Sequence, residues 1–323
     1  MRPDTALFRA PLNGFWDIQS GRIPPRIWPL LATPGARVVC AGRFVRLTLA
    51  GTHSDSVHWI SRLPPFAPEP VLIRIMTYNV HRCRGRDRQY SPQRIADVIA
   101  SAKPDVVALQ ELDVGRARSG GVDQAEMIAA ALGMRAQFHP ALKVMEELYG
   151  DAILTARPSR LVKAGPLPGL PGLRGLEPRG AVWAAITIGG SELQLINTHL
   201  GLVTRERRKQ IDCLLSKDWL GHADCRDPVM LVGDFNMQPR SRNYRKLIGR
   251  RLRDAHRSRN KHYQATFPAR FPTLRIDYAF VGPGIHVTHV DTVRTPLARI
   301  ASDHLPLVVD LEVESAAVQQ AAQ

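Results

Sequence analysis

Eight polar side chains in this sequence fall at the ends of short apolar segments or directly beside them. They are of the types that bind divalent cations, hydrogen-bond anions or transfer protons. Carboxylates and amides are costly to place next to core strands unless they are paired, hydrogen-bonded or bound to metal. Their recurring position therefore predicts one shared polar cleft, formed by Asn79, Glu111, His199, Asp234, Asn236, Asp277, Asp303 and His304.

Each of these residues also has a purely structural interpretation when it is taken alone. Asp234 and Asn236 stand in a Gly-Asp-Phe-Asn segment, which is typical of an ordinary turn after a strand. His199 could be a satisfied histidine at a strand end, Glu111 a solvated charge, and the segment 302–304 the cap of a loop. The joint occurrence of all eight in this order is far less probable by chance, which favours the shared cleft.

Apolar periodicity predicts the elements that position these side chains. Ser91 caps a helix with Pro92 in its first turn, and Pro104 ends it. Further helices are predicted at 123–132, 204–219 and 241–252. Strands are predicted at 72–80, 105–110 with Glu111 at its tip, 152–155, 181–188, 193–198, 229–232, 276–281 and 307–311. Because several consecutive strands have no helix between them, two stacked mixed sheets with outer helices fit better than one parallel sheet.

Length and composition predict a globular protein with a full core, as one large domain or two small ones. The chain has 323 residues, of which 44% are hydrophobic, and no apolar run reaches the roughly 20 residues that cross a bilayer. Residues 1–70 contain ten prolines and no clean period, apart from a stretch at 37–49 that could form a hairpin. We expect a poorly ordered extension at 1–70, a catalytic domain at 71–313 and a disordered tail at 314–323.

The charge balance predicts a polyanionic partner. There are 44 basic and 29 acidic residues, which gives a net charge of +15. Nucleic acid, a phosphorylated substrate and an anionic lipid surface all fit this excess, although a genomic bias toward arginine is an equal alternative. The four cysteines show no metal-ligand spacing, and no signal peptide is apparent. We therefore expect a cytoplasmic protein with reduced thiols. We also expect a monomer, and peripheral contact with a membrane is left open.

Seven motifs in this order resemble those of the endonuclease/exonuclease/phosphatase superfamily. They lie within residues 71–313 and read MTYNVH at 76–81, LQE at 109–111, YGDAIL at 149–154, NTHL at 197–200, GDFN at 233–236, RIDY at 275–278 and SDHLPL at 302–307. The finer texture, including EPRG at 177–180 and ATFP at 265–268, resembles a bacterial branch related to eukaryotic proteins of GPI-anchor lipid remodelling.

The resemblance implies an α/β fold, a four-layer α/β/β/α sandwich of two mixed sheets with outer helices, and an active site at one edge. It implies that Glu111 is the principal ligand of a Mg²⁺ or Mn²⁺ ion, with Asn79 close by and Asp303 reaching the ion through water. It also implies that Asp277 orients His304, which acts as general base or as electrostatic partner at the phosphate.

For the remaining residues the resemblance implies contacts with water and phosphate. Asp234 would position or deprotonate the attacking water, while Asn236 and His199 would hydrogen-bond the phosphoryl oxygens. Asp151 stands where many family members carry Asn, and it either lines the cleft or simply accepts a hydrogen bond. Arg179 is a candidate phosphate contact, with a solvated loop arginine as the alternative.

Three classes of function are left open. Residues 240–262 hold ten Lys or Arg against the single Asp254, and the helix at 241–252 would present Arg242 and Arg245 beside the cleft as substrate contacts. A nuclease that hydrolyses phosphodiesters by metal-assisted in-line attack of water comes first. A phosphodiesterase or phosphatase acting on a phospholipid headgroup or other small phosphorylated substrate at a membrane comes second. A non-catalytic binding protein is the minor alternative.

Overall fold

The computed structural model describes residues 71–144, 147–173, 175–249, 251–256 and 264–314, together with three short strands nearer the N-terminus. The chain divides into two compact units at Pro68–Glu69. In the first unit, β1 (Ala36–Ala41), β2 (Phe44–Leu49) and β3 (His58–Ile60) pair antiparallel. The first two form the hairpin predicted at 37–49. The disorder predicted for the rest of 1–70 and for the C-terminal tail lies outside the described residues.

The second unit contains the remaining strands and the helices. Its strands are β4 (Val71–Asn79), β5 (Val106–Val114), β6 (Arg135–Val144), β7 (Glu147–Thr155), β8 (Ser159–Pro166), β9 (Gly180–Ile188), β10 (Ser191–His199), β11 (Val229–Asp234), β12 (Arg253–Asp254), β13 (Asp277–Val281), β14 (Ile285–Thr292) and β15 (Leu307–Val313). Its helices are α1 (Pro92–Ala102), α2 (Gln124–Leu132), α3 (Thr204–Leu215), α4 (Arg242–Leu247) and α5 (Ala298–Ala301).

These strands form two six-stranded mixed sheets. One has the order β14-β15-β4-β5-β7-β6 and the other β12-β13-β11-β10-β9-β8. In each sheet one central pair is parallel, β4 with β5 and β10 with β11, and the other pairs are antiparallel. Parallel neighbours place their carboxyl ends at one sheet edge, so each sheet brings polar strand ends to one side.

Three buried apolar clusters define four layers. Ile73 and Ile75 of β4 pack between the sheets with residues such as Val232 of β11. Met76 and Tyr78, which point to the opposite face of β4, pack with residues of α1 and α2. A third cluster joins α3 and α4 to the outer face of the other sheet. Because strand side chains alternate between faces, each sheet contributes side chains to two clusters, one on each face. The predicted four-layer α/β/β/α sandwich is therefore confirmed.

Local sequence explains the first outer helix. The Ser91 hydroxyl accepts a hydrogen bond from the Arg94 backbone N–H at 3.2 Å, which satisfies a donor that the first helical turn leaves unpaired. Pro92 stands at the first helical position, where a missing N–H costs nothing. Ile95, Val98 and Ile99 form the buried stripe. The prediction for this helix is confirmed in its start and its buried face.

Two helices are shorter than predicted. The helix at 204–219 ends at Leu215, where Ser216 turns extended and its hydroxyl donates to the Cys213 carbonyl. The helix at 241–252 is only α4, Arg242–Leu247, because Ile248 already has an extended backbone. The predicted apolar stripe is nonetheless real, since Tyr244, Leu247 and Leu252 are all buried. Leu252 reaches the core from a turn rather than from a helix.

Candidate active site

Strand ends bring the polar side chains to one edge of the molecule. Asn79 ends β4, while His199 and Asp234 end the parallel pair β10 and β11 and lie opposite each other in register. Asp277 begins β13, which runs antiparallel to β11, so it is paired with Asp234. The shared cleft predicted from the sequence rests on this geometry, because parallel ends and antiparallel starts meet at the same edge.

Gly233 makes the close approach of β10 and β11 possible. Its backbone φ is +139°, and a Cβ at this position would lie 1.8 Å from the Thr198 carbonyl oxygen. Any larger residue would therefore push the two strands apart. The glycine of the Gly-Asp-Phe-Asn motif is thus a structural requirement for placing Asp234 beside His199.

Glu111 lies inside a strand and not at its tip. The prediction that the strand ends at Gln110 is wrong, because β5 continues to Val114 through a bulge between Leu109 and Leu112. The bulge gives Glu111 a φ of +63°, a conformation uncommon for residues other than glycine. Bulges re-aim side chains near active sites. Here the half-buried carboxylate of Glu111 is turned toward the carboxyl end of β4.

Asn79 connects the two carboxylates of the cleft. Its side-chain nitrogen Nδ2 donates to Oε1 of Glu111 and to Oδ2 of Asp234, both at 3.0 Å. Its Oδ1 accepts from the backbone N–H of His81 at 3.0 Å. Since carboxylates only accept and the backbone N–H only donates, these partners fix the orientation of the amide. Asn79 therefore holds Glu111 and directs its nitrogen, not its oxygen, into the cleft.

His304 lies between two buried carboxylates. Its Nδ1 is 2.9 Å from Oδ2 of Asp277, and its Nε2 is 3.7 Å from Oδ2 of Asp234. Burial opposes a charge on the ring, but Asp277 and Asp234 outweigh it and raise the pKa of His304 to about 10. Burial raises the pKa of Asp234 to about 7, against the lowering effect of His304. At neutral pH His304 is therefore an imidazolium beside a carboxylate of enhanced basicity.

His199 has the opposite electrostatic environment. Burial, followed by the charges of Arg179 and His304, holds the pKa of His199 well below its usual range. Its Nδ1 lies 3.0 Å from the Arg179 guanidinium. Because the guanidinium can only donate, Nδ1 accepts and the proton of the neutral ring lies on Nε2. That atom is 3.5 Å from Oδ2 of Asp234. Nδ2 of Asn236 lies 3.1 Å from the same Nε2, but both atoms are donors in this tautomer, so the contact is not a hydrogen bond.

Asn236 is held against the same carboxylate. Its backbone N–H donates to Oδ1 of Asp234 at 2.9 Å, and its Nδ2 donates to the Leu200 carbonyl at 2.9 Å. Its φ of +48° is tolerated because short polar side chains visit the left-handed region more readily than others. The turn that follows β11 is therefore built around Asp234.

Asp151 and Arg179 are buried and contact two residues of the cleft, Glu111 and His199 respectively. Asp151 is buried, accepts a hydrogen bond from the Glu111 backbone, and has a pKa that burial raises to about 8 against the lowering effect of Arg179. The alternative of a solvated Arg179 is wrong, because the residue is only 7% exposed. Arg179 forms an ion pair with Glu177 at 2.8 Å. It therefore places a buried positive charge between Glu177 and His199.

Asp303 lies beside His81 at the entrance to the cleft. It is half-buried, and its Oδ1 is 3.8 Å from Nδ1 of His81. The preceding residue, Ser302, donates its hydroxyl to the backbone carbonyl of Asn79 at 2.8 Å. This bond ties the 302–304 segment to the end of β4, so the segment has a positional role beyond capping a loop.

Gln110 and Asn197, which the sequence predictions missed, link the two sheets beneath the cleft. Nε2 of Gln110 donates to Oδ1 of Asn197 at 2.7 Å. Nδ2 of Asn197 donates to the carbonyls of Leu109 and Ala152 at 2.8 and 2.9 Å. Both residues are fully buried. Their place inside the LQE and NTHL motifs was the available signal, since each precedes a predicted site residue.

Arg242 and Arg245 are exposed on α4, and no contact among the described residues joins them to the cleft. Several neighbouring cations are used within the fold. Arg251 pairs with Asp227 and donates to the carbonyls of Leu220 and Cys225, and Lys246 pairs with Asp212. The basic segment therefore presents fewer free charges than its sequence implies.

The geometry shows where a divalent cation could bind. One oxygen each of Asp234 and Asp277 and a nitrogen of His304 lie within 4.8 Å of one another. A protonated imidazole has no lone pair to offer, so this trio does not fit a cation while His304 is charged. Glu111 fits better, because Asn79 donates only to its Oε1, and among the described residues no hydrogen bond involves its Oε2. A half-buried carboxylate oxygen is the donor that Mg²⁺ and Mn²⁺ prefer.

A family model for the endonuclease/exonuclease/phosphatase family matches residues 76–304. The chain belongs to this family. An uncharacterized protein of Escherichia coli, YbhP, is 22% identical over 252 residues, 74% of this chain and 96% of YbhP. The finer likeness to the branch related to GPI-anchor remodelling stays a prediction.

Solved structures of the family share the fold. An endonuclease/exonuclease/phosphatase from Beutenbergia cavernae is 24% identical with a TM-score of 0.59, covering 76% of this chain and 72% of its own. A mannosyl-6-phosphatase of Bacteroides thetaiotaomicron is 22% identical with a TM-score of 0.60, covering 74% and 99%. The family supports a phosphoesterase acting on a phosphate-bearing substrate. Among the described residues, no helix is long and apolar enough to span a membrane.

Proposed function

We propose that the protein hydrolyses phosphodiesters by in-line attack of water in the cleft between Glu111 and His304. The observation that carries this proposal is the bridging of Glu111 and Asp234 by Asn79, at 3.0 Å to each carboxylate. This bridge places a candidate cation ligand and a candidate base on either side of one amide. A phosphate bound between Glu111 and Asp234 would contact the cation ligand and the base at the same time.

Asp234 is the proposed general base. A base works best when its pKa lies near the working pH, and burial raises the pKa of Asp234 to about 7. His304 is then the electrostatic partner and not the base, because Asp277 and Asp234 keep it protonated. Its Nε2–H is available to a phosphoryl oxygen on which charge develops during attack.

His199, Asn236 and Arg179 are the proposed phosphate-binding groups. The neutral His199 presents an Nε2–H, and Asn236 is fixed by its bonds to Asp234 and Leu200. Arg179 adds a buried positive charge behind His199. Donors fixed before the reaction stabilise developing charge without reorganising, which is how such groups lower a barrier.

Glu111 would hold a Mg²⁺ or Mn²⁺ ion, with Asp303 as a second proposed ligand, and Asp151 accepts a hydrogen bond from the Glu111 backbone. When bound, the ion would polarise a phosphoryl oxygen. Asn79 is proposed as the residue that orients Glu111, since its amide oxygen is occupied by His81.

The substrate class is a separate question. The nucleic-acid interpretation depended on a twelve-residue arginine-rich helix, and α4 has six residues with neighbouring cations used inside the protein. Nucleic acid therefore loses its main support, although the phosphodiester chemistry is unaffected. The cytoplasmic location and the monomeric state stay predictions.

Hydrolysis of bis(p-nitrophenyl) phosphate and of p-nitrophenyl phosphate, with Mg²⁺, with Mn²⁺ and with EDTA, tests the proposal. We expect turnover of the diester with either cation and none in EDTA. Calorimetric titration of Glu111→Gln with Mg²⁺ should show weakened binding, while the exposed Glu126→Gln variant on α2 should bind normally. Full activity of the diesterase in EDTA would contradict the assignment of Glu111.

A further inference from the structure

Three large apolar side chains are exposed beside the cleft, on the loop that carries Phe271 and at the short helix α5. Phe271 is 68% exposed, Ile300 44% and Leu297 39%. Single exposed apolar residues are normal on protein surfaces, whereas several on adjoining segments mark an interaction site. The same segments carry exposed arginines. We call the group the rim patch, and it consists of Arg86, Arg88, Arg270, Phe271, Leu297 and Ile300.

Hydrogen bonds join the segments of the rim patch to one another. The backbone N–H of Arg86 donates to the Ile300 carbonyl at 2.9 Å. The guanidinium of Arg299 donates to the carbonyls of Ala269 and Arg270, at 3.3 and 2.9 Å. The turn with Arg86, the loop with Arg270 and the helix α5 therefore form one surface, and their exposed side chains belong together.

The rim patch adjoins the catalytic residues directly. The backbone N–H of Ala269 donates to the Asp303 carbonyl at 2.6 Å. The ring of Phe267, in the same loop as Phe271, lies 4.9 Å from the ring of His304. Any surface that contacts the rim patch is therefore brought to the mouth of the cleft.

The rim patch is positively charged, and within the described part of the chain Arg86, Arg88 and Arg270 form no ion pair. Asp87 is the acidic residue in the turn that carries Arg86 and Arg88, and it is paired with Arg94 at 2.8 Å. The guanidinium of Arg270 lies 5.0 Å from the ring centre of Phe271, so the cation is held beside the apolar side chain. Exposed apolar tips flanked by cations are typical of surfaces that insert shallowly into an anionic lipid interface.

We propose that the rim patch docks the protein on an anionic lipid surface, with the cleft facing the headgroups. Leu297 and Ile300 decide between lipid and nucleic acid, because aliphatic side chains bury well among acyl chains and cannot stack on bases. The docking itself is independent of catalysis. Its consequence for the substrate, a phosphate ester in a lipid headgroup, rests on the proposed function.

Co-sedimentation of the purified full-length protein with vesicles tests the docking. The protein should bind equimolar phosphatidylglycerol–phosphatidylcholine vesicles more tightly than pure phosphatidylcholine vesicles. The double variant Phe271→Ser/Ile300→Ser should lose about tenfold or more in partitioning, because less apolar surface is buried. Arg86→Ala/Arg270→Ala should lose the preference for the anionic vesicles. Leu72→Ser is the matched control, since Leu72 is 61% exposed at the opposite end of β4 from Asn79.

Two comparisons separate the docking from the chemistry. Asp234→Asn should bind vesicles like the wild type, and the Phe271→Ser/Ile300→Ser variant should hydrolyse a soluble aryl phosphodiester at the wild-type rate. Failure of the wild type to bind anionic vesicles, or equal binding by the double variant, would overturn the docking proposal whatever the activity shows. So would binding of single-stranded DNA, in place of vesicles, that is lost in the double variant.

Discussion

Nδ1 of His304 lies 2.9 Å from Oδ2 of Asp277, and both side chains are almost completely buried. This contact distinguishes His304 from His199, whose Nδ1 faces the Arg179 guanidinium. Of the two buried histidines at the cleft, His304 is thus charged and His199 is neutral. The difference leads directly to a spectroscopic prediction.

The two histidines should titrate far apart in the metal-free protein. His304 should remain protonated beyond pH 8, because neighbouring carboxylates raise its pKa to about 10, while His199 should stay neutral well below pH 6.5. Heteronuclear NMR of the imidazole nitrogens in EDTA measures both, with assignment from His304→Gln and His199→Gln. A neutral His304 at pH 7 would contradict its role as electrostatic partner.

The raised pKa of His304 also predicts a pH dependence of stability. The folded-state pKa lies above the unfolded value of about 6.5, so protonated His304 stabilises the fold fully below pH 6.5. That contribution is lost as the pH rises toward 10. Urea denaturation in EDTA should show that His304→Gln is destabilising at pH 6 and progressively less so toward pH 10. A pH-independent difference between the two proteins would show that the effect is one of packing.

Replacing Asn79 by Ala should weaken both Mg²⁺ binding and diesterase activity. The variant removes the donor shared by Glu111 and Asp234, and residues that orient metal ligands typically affect affinity or activity about 10- to 100-fold. Calorimetry with Mg²⁺ and a diesterase assay measure the two effects. Asn243→Ala is the matched control, since Asn243 is also buried and donates to the Thr204 carbonyl on the α3 side. Equal losses in both variants would contradict the positioning role.

Asn197→Ala should destabilise the protein by about 1–3 kcal/mol, because it breaks buried hydrogen bonds between the sheets. Chemical denaturation measures the loss. Gln93→Ala provides the control, since Gln93 bonds Asp97 on the exposed face of α1 and its removal should change stability by less than about 0.5 kcal/mol. A change in Asn197→Ala no larger than in this control would show that the sheets do not depend on the link.

The sequence predicted the central strands well and the edge strands poorly. Central strands such as β9 and β11 are buried on both faces, so they appear as continuous apolar runs. The missed strands β6, β8, β12 and β14 all lie at sheet edges. In β14 burial alternates along most of the strand, and in β8 only one residue is buried, so neither forms an apolar run. These edge strands form because they pair with a neighbouring strand, and a single sequence does not show this pairing.

The residues of the cleft were predicted more fully than their conformations. The motifs predicted carboxylates, amides and histidines at or near strand ends, and the structure brings these side chains together. The bulge at Glu111 could not be predicted, because the register shift depends on the pairing of β5 with β7. The orientation of the Asn79 amide is likewise set by Asp234, which lies 155 residues away in the chain.

The turnover of bis(p-nitrophenyl) phosphate by Asp234→Asn in saturating Mg²⁺ tests the central claim most directly. Loss of a general base typically costs about 10²- to 10⁴-fold, so we expect kcat to fall by at least about 100-fold while Mg²⁺ affinity stays within about threefold. Asp224→Asn, at a side chain 67% exposed, should be indistinguishable from the wild type. An Asp234→Asn variant that keeps its kcat would show that water is activated elsewhere.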